Sequence, residues 1–340
     1  MTILTSNGTD NIEALGRFRR LALDVYQDDP VWAPQAEEAL DDCLDRARAG
    51  AVDIRMAVAI SGGRTVARAL AMRDVEAPDD AGGQVGLFEC LPDAVDSGVA
   101  VLEHSVQWLR DHGVRRVVAP RVDQLRAGLQ VGGFDLPQTI FTAHNPSHYV
   151  GPFRSVFSSE TRMVSVVFTR QRAPRFRLRQ RRAFAVRSVV AEDLSEELQR
   201  IETFQREVFA GRIGYLPRSG AMAMQTAQKL LPLLDPDLIT LGCDTDGRVI
   251  GLLICIPDWW QGGAVPNRAR LISVGVAADW RGKGVAMTMG AHLTSVLLDK
   301  GYQTLEGSWV LESNRRTRHL ARLLGAKAGR EFALFSSDLG

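Results

Sequence analysis

From residue 12 to about residue 45, apolar side chains recur at helical spacing, with a break at Asp29-Pro30 before Trp32. The period then shortens to two. Residues 54–60 and 65–72 predict strands joined by Ser61-Gly62-Gly63-Arg64, a hairpin signal because consecutive glycines accept positive φ. A short strand follows at 85–89, then a helix at 99–112 that stops at Gly113, and a β-branched strand at 114–119. The second half repeats this order. Helices are predicted over 194–209 and 221–234, then strands over 238–243 and 249–256 joined through an Asp246-Gly247 turn. A strand at 270–276, a helix at 284–300, a strand at 304–312, a helix at 317–324 and a strand at 331–336 complete the chain. The alternation implies an α/β class with a mixed sheet, and the repeated order suggests duplication.

Composition adds scale. A chain of 340 residues exceeds what one core organises, so two domains are expected, at 1–175 and 184–340. Apolar residues make up 45% and charged residues 24%, which suits folded domains. A net charge of +1 leaves no bulk attraction to nucleic acid or to anionic surfaces, so electrostatic recognition has to be local. The local exception is the run Arg170, Arg172, Arg175, Arg177, Arg179, Arg181 and Arg182, where the domain junction is placed. It reads either as a strand with one charged face or as a solvated linker. Cys43, Cys90, Cys243 and Cys255 are scattered, which fits reduced buried thiols and predicts no metal site. The polar start and the absence of a long apolar run point to a cytoplasmic protein without a membrane span.

Chemistry concentrates in Val274-Gly275-Val276-Ala277-Ala278-Asp279-Trp280-Arg281-Gly282-Lys283-Gly284-Val285-Ala286, between a predicted strand and helix. Such a turn aims main-chain N–H groups and the positive helix end at one point, the physical basis of phosphate binding; a purely structural turn is the alternative. The order Arg281-x-x-Gly284-x-Ala286 resembles the pyrophosphate-binding signature of the GNAT superfamily of N-acyltransferases. Downstream, Trp309-Val310-Leu311-Glu312-Ser313-Asn314, leading to Leu324-Gly325, resembles that family's second segment. The resemblance covers residues 184–337. It implies two tandem GNAT-like domains, because Val25 to Pro34, Val85 to Cys90 and Gly133 to Pro146 resemble the longer bacterial tandem proteins. The first domain is expected to be degenerate and non-catalytic, since Asp93 and Asp96 fall in its phosphate turn, where a carboxylate would repel a pyrophosphate by about 1 kcal/mol or more.

The resemblance further implies an acyl-CoA or phosphopantetheine-linked acyl thioester as co-substrate. Ser273, Val274, Gly275 and Val276 would pair with the pantetheine amides, Arg281, Gly282, Lys283, Gly284, Val285 and Ala286 would hold the phosphates, and Asn314 would touch the donor arm. Glu312 is the candidate general base, or else a partner of Arg315 or Arg316. Ala321 stands where many family members carry a tyrosine that protonates the leaving thiolate, so His319 or solvent is the substitute. Tyr149 and Tyr215 are candidates to line the cavity. An α-amine acceptor is favoured, as a peptide or small molecule of lipopeptide-like metabolism, because a lysine amine costs about 3 kcal/mol more to deprotonate at neutral pH. Basic residues including Arg175, Arg177 and Arg179 would suit docking of an acyl carrier protein. Acetyl transfer to a small molecule and a silent acyl-ligand-binding module are the competing readings.

Overall fold

The computed structural model describes all residues except 31, 33–37, 76–81, 124, 174–182, 211–229 and 262–264. Arg175, Arg177 and Arg179, the proposed junction, Tyr215 and most of the helix expected at 221–234 therefore lie outside the described residues. The chain divides into two compact units, one of residues 1–164 and 330–340, the other of residues 165–329.

In the first unit, β1 (Thr2–Ser6) leads into α1 (Ile12–Tyr26), whose first turn is capped by the Asn11 side chain accepting the Ala14 N–H at 3.0 Å. After α2 (Glu38–Arg48), β2 (Val52–Ser61) and β3 (Arg64–Asp74) form the expected hairpin. Its turn works because Gly62 and Gly63 adopt φ of 57° and 79°, a region closed to most side chains. β4 (Gly83–Cys90), α3 (Val95–Asp111), β5 (Arg116–Ala119), β6 (Leu129–Gly132) and α4 (Val150–Val156) follow. The strands run β1-β2-β3-β4-β5-β13, with β6 also on β13 (Lys327–Asp338). Leu102, Val106 and Leu109 of α3 pack on Ala69 and Ala71 of β3 and Val85 of β4 in one core cluster.

β7 (Ser159–Thr169) carries the chain into the second unit. There β8 (Phe184–Ser188), α5 (Leu194–Phe209), β9 (Ile239–Asp244), β10 (Val249–Pro257), β11 (Arg268–Val276), α6 (Val285–Asp299), β12 (Thr304–Leu311) and α7 (Arg315–Leu323) are ordered β12-β11-β10-β9-β8 in the sheet. The element order β4-α3-β5 of the first unit recurs as β11-α6-β12, as the sequence pattern predicted. The expected domain bounds differ at both ends: residues 165–175, placed by sequence in the first domain, fall in the second unit. Residues 330–340, placed by sequence in a domain of 184–340, belong to the first unit, where Phe335–Asp338 pair with β5 and Glu331–Ala333 with β6.

Candidate active site: a wedge between two parallel strands

The site begins with a break in hydrogen bonding. β11 and β12 pair in parallel over only four positions, Arg268↔Thr304 to Leu271↔Gly307, although β11 continues to Val276 and β12 to Leu311. The cause lies on the other side of β11. Against β10, Ile254 faces Ser273 and Cys255 faces Leu271, so Ile272 is an extra, bulged residue immediately after the last pair with β12. A bulge bends its strand and sharpens the twist, and here it turns residues 272–276 away from β12. The β12-facing edge of Ser273–Val276 is thus left without a strand partner among the described residues. Val274, 50% exposed in mid-sheet, marks the opening.

Close packing fixes what stands at the end of the wedge. A Cβ on Gly251 would lie 2.7 Å from Met289 Cε and 2.8 Å from Val285 Cγ1, so the glycine lets the first turns of α6 sit directly on β10. Gly242 of β9 gives the same helix a second close contact, 3.1 Å from Val285 Cγ1. On the opposite flank, Gly275 admits the Phe204 and Phe209 rings of α5, which would be 3.0 and 3.1 Å from a Cβ there. Between β11 and α6 the turn passes through Gly282 at φ 74° and Gly284 at φ 87°, the latter being the residue before the helix. By helix geometry the first N–H groups of α6, those of Val285 and Ala286, have no intrahelical acceptor, and the helix dipole adds positive potential. Arg281 folds back to donate from Nε to the Val276 carbonyl at 3.2 Å, and the Lys283 ammonium lies 5.1 Å from the Trp280 ring centre. Both side chains are exposed on an open turn. This is a surface able to bind phosphate through main chain and cations together.

Because β11 and β12 are parallel, Glu312 and Asn314, which follow β12, lie at the same end of the pair as the glycine turn. Glu312 is exposed just past the strand, its carbonyl accepting from Arg318 Nη1 at 2.9 Å, and no ion pair joins it to Arg315 or Arg316 among the described residues. Asn314 caps α7, its Oδ1 accepting the Thr317 N–H at 3.2 Å. His319 is exposed on α7, whereas Ala321 is buried. Sequence reasoning missed Arg270. This buried arginine donates from Nε to Ser308 Oγ at 2.9 Å and lies 4.6 Å from the Trp309 ring centre, bridging the strands where their ladder ends. A charge within the apolar run of β11 was the available signal. All four cysteines are buried free thiols; burial pushes Cys43 and Cys90 up to about 12 and raises Cys243 and Cys255, so none offers a ready thiolate. Among the described residues no group of three or more His, Cys, Asp or Glu is placed to hold a metal.

Residues 200–326, which contain the wedge and the glycine turn, match the acetyltransferase (GNAT) family. That stretch is similar to a GNAT acetyltransferase domain. Along 96% of its length it is 23% identical to a protein of Caulobacter vibrioides named bacterial ceramide synthase, covering 95% of that relative. Its fold is that of the tandem GNAT protein from the clavulanic acid biosynthesis pathway, with a TM-score of 0.62 at 14% identity over 100% of this chain and 99% of the other. The glucosamine N-acetyltransferase region of a fungal multi-domain β-N-acetylglucosaminidase superposes equally well, at 0.62 with 18% identity; this chain matches it over 99% of its own length and spans 38% of that longer protein.

Within the first unit, the counterpart of this wedge is closed by its own chain. β4 and β5 pair in parallel only at Gly83↔Val117 and Gln84↔Val118. Beyond that point the Arg121 N–H bonds to the Val85 carbonyl at 2.8 Å, and the Arg121 carbonyl and Val122 sit so close that a Cβ on Gly86 would be 2.6 Å from each. The Tyr149 hydroxyl accepts the Cys90 N–H at 3.0 Å and donates to Glu89 Oε2 at 2.6 Å, while His148 Nε2 donates to the Cys90 carbonyl at 3.0 Å. Tyr149 is therefore a buried plug of the first unit.

Proposed function

We propose that the second unit transfers an acyl group from a pantetheine thioester to the amine of a long-chain amphiphile, and that the first unit is catalytically silent. The observation that carries this reading is the edge of Ser273–Val276 that β12 leaves unpaired, which ends at a glycine turn before a helix N-terminus. An extended pantetheine arm has amides spaced to pair with such an edge, with its phosphate at the N-terminus of α6. The acceptor class rests on the Caulobacter vibrioides relative, since a ceramide is the amide of a long-chain amino alcohol. The silence of the first unit is supported by Arg121, His148 and Tyr149, which occupy the β4 main-chain groups that a donor would need.

In the proposed reaction the neutral amine attacks the thioester carbon, a C–N bond forms, the C–S bond breaks and the thiolate leaves. Glu312 takes the amine proton, directly or through water, and His319 supplies a proton to the sulfur in place of the tyrosine that Ala321 replaces. A main-chain N–H of the β11 edge stabilises the oxyanion. The donor can be coenzyme A or a carrier protein, since both present the same arm.

The test is to incubate the full-length protein with acetyl, long-chain and carrier-bound thioesters, each with a long-chain amino alcohol, an amino-acid α-amine or a lysine peptide, and to identify amides by mass spectrometry. Long-chain amide from the amino alcohol is expected. Tight donor binding without acylation of any amine, together with no effect of Glu312→Gln, would leave a binding module in place of the enzyme.

A further inference from the structure

The helix that follows the wedge carries charge that no ion pair neutralises among the described residues. α7 contains Arg315, Arg316, Arg318 and Arg322 and no acidic residue. Arg318 is engaged with the Glu312 carbonyl, but Arg315, Arg316 and Arg322 are exposed, and their side chains make no hydrogen bond or ion pair among the described residues. Several other surface arginines are paired, as in Arg17–Glu13, Arg19–Asp41, Arg73–Asp53, Arg154–Glu160 and Arg248–Glu207. Arg315 and Arg316 also occupy the first helical turn, where the dipole disfavours cations. Their position thus works against the local stability of the helix.

The same surface is apolar at intervals. Arg316, Leu320 and Leu323 follow the i, i+4, i+7 spacing of one helix face, and all three are exposed, Leu323 at 70% and Leu320 at 38%. Ala321 points the other way and is buried. Arg172 adjoins the far end of the helix, its carbonyl 3.1 Å from where a Cβ on Gly325 would stand, and its side chain is likewise exposed and unpaired among the described residues. Protruding leucines framed by unpaired arginines, with no carboxylate on the helix, suit an anionic lipid surface: leucines enter the acyl boundary while guanidinium groups meet phosphates.

We propose that the outer face of α7 docks the enzyme onto an anionic membrane surface. This deepens the functional reading above, whose acceptor and product are amphiphiles, and places the mouth of the wedge beside the phase that holds them. Docking is measured without turnover, so the two readings can fail separately. The full-length protein is to be co-sedimented with phosphatidylcholine vesicles with and without phosphatidylglycerol, across a salt series. Binding is expected only to the anionic vesicles and is lost as salt rises. Each basic residue near such a surface strengthens partitioning about fivefold, so Arg316→Glu with Arg322→Glu should weaken it on the order of several hundredfold. Leu323→Ser should weaken it roughly tenfold. Thermal unfolding monitors the fold of each variant, and the salt series on the unaltered protein tests the proposal without any substitution. No binding, equal binding to neutral vesicles, or undiminished binding by the charge-reversed variant overturns it. So does a complex with an acidic acyl carrier protein, lost in the same variant, when anionic vesicles are not bound.

Discussion

Each polar group at the site makes a separate demand on measurement. Glu312→Gln removes a proton acceptor while keeping size and exposure; it is expected to lower kcat by about 100-fold or more with donor KM unchanged, read in steady-state kinetics. Arg281→Ala should instead raise donor KM about fivefold to tenfold with a smaller change in kcat, because in the proposed reading an exposed cation on the glycine turn contributes to binding before the transition state. Tyr149→Phe makes the opposite prediction. It deprives Cys90 N–H and Glu89 Oε2 of a buried partner, costing about 1–3 kcal/mol in unfolding experiments, and leaves donor KM unchanged if the first unit holds no donor.

At the scale of elements, glycines decide how closely helices approach the sheet. Gly251→Val forces side-chain atoms into Val285 and Met289, and is expected to destabilise the second unit by about 1–3 kcal/mol, visible in its thermal transition. Much of this layer was legible in the sequence. The hairpin at Gly62-Gly63, the helix over Leu194–Phe209 and the strand-turn-helix around Gly284 announce themselves through local backbone preference and apolar period. The bulge at Ile272 does not, because its cause is the simultaneous demand of β10 on one side and of β12 on the other. β1 and β6 escaped for a related reason: each is too short for its own pattern to stand out and is held by its neighbours. The glycine turn was therefore readable, whereas the wedge beside it was not.

For the whole molecule, acidity is a source of instability. Burial lowers the pKa of His292, which meets Ser188 Oγ at 3.0 Å, and of His104, where Arg55 adds to the effect of burial. Both are held neutral in the folded state below the value of about 6.5 that they regain on unfolding. The unfolded chain then binds more protons, so stability is full above that value and falls as pH drops from there toward the folded pKa. Thermal midpoints should decline across this window, and His292→Gln should flatten the decline. The path of the last strand has a different kind of consequence. Since Arg330–Gly340 belong to the first unit, a chain emerging from the ribosome has β5 and β6 long before their partner exists. A truncation ending at Gly329 should leave those edges bare and aggregate during expression. The half that is made first is the last to be finished, for residues 165–329 are synthesised in full before the first unit receives its closing strand.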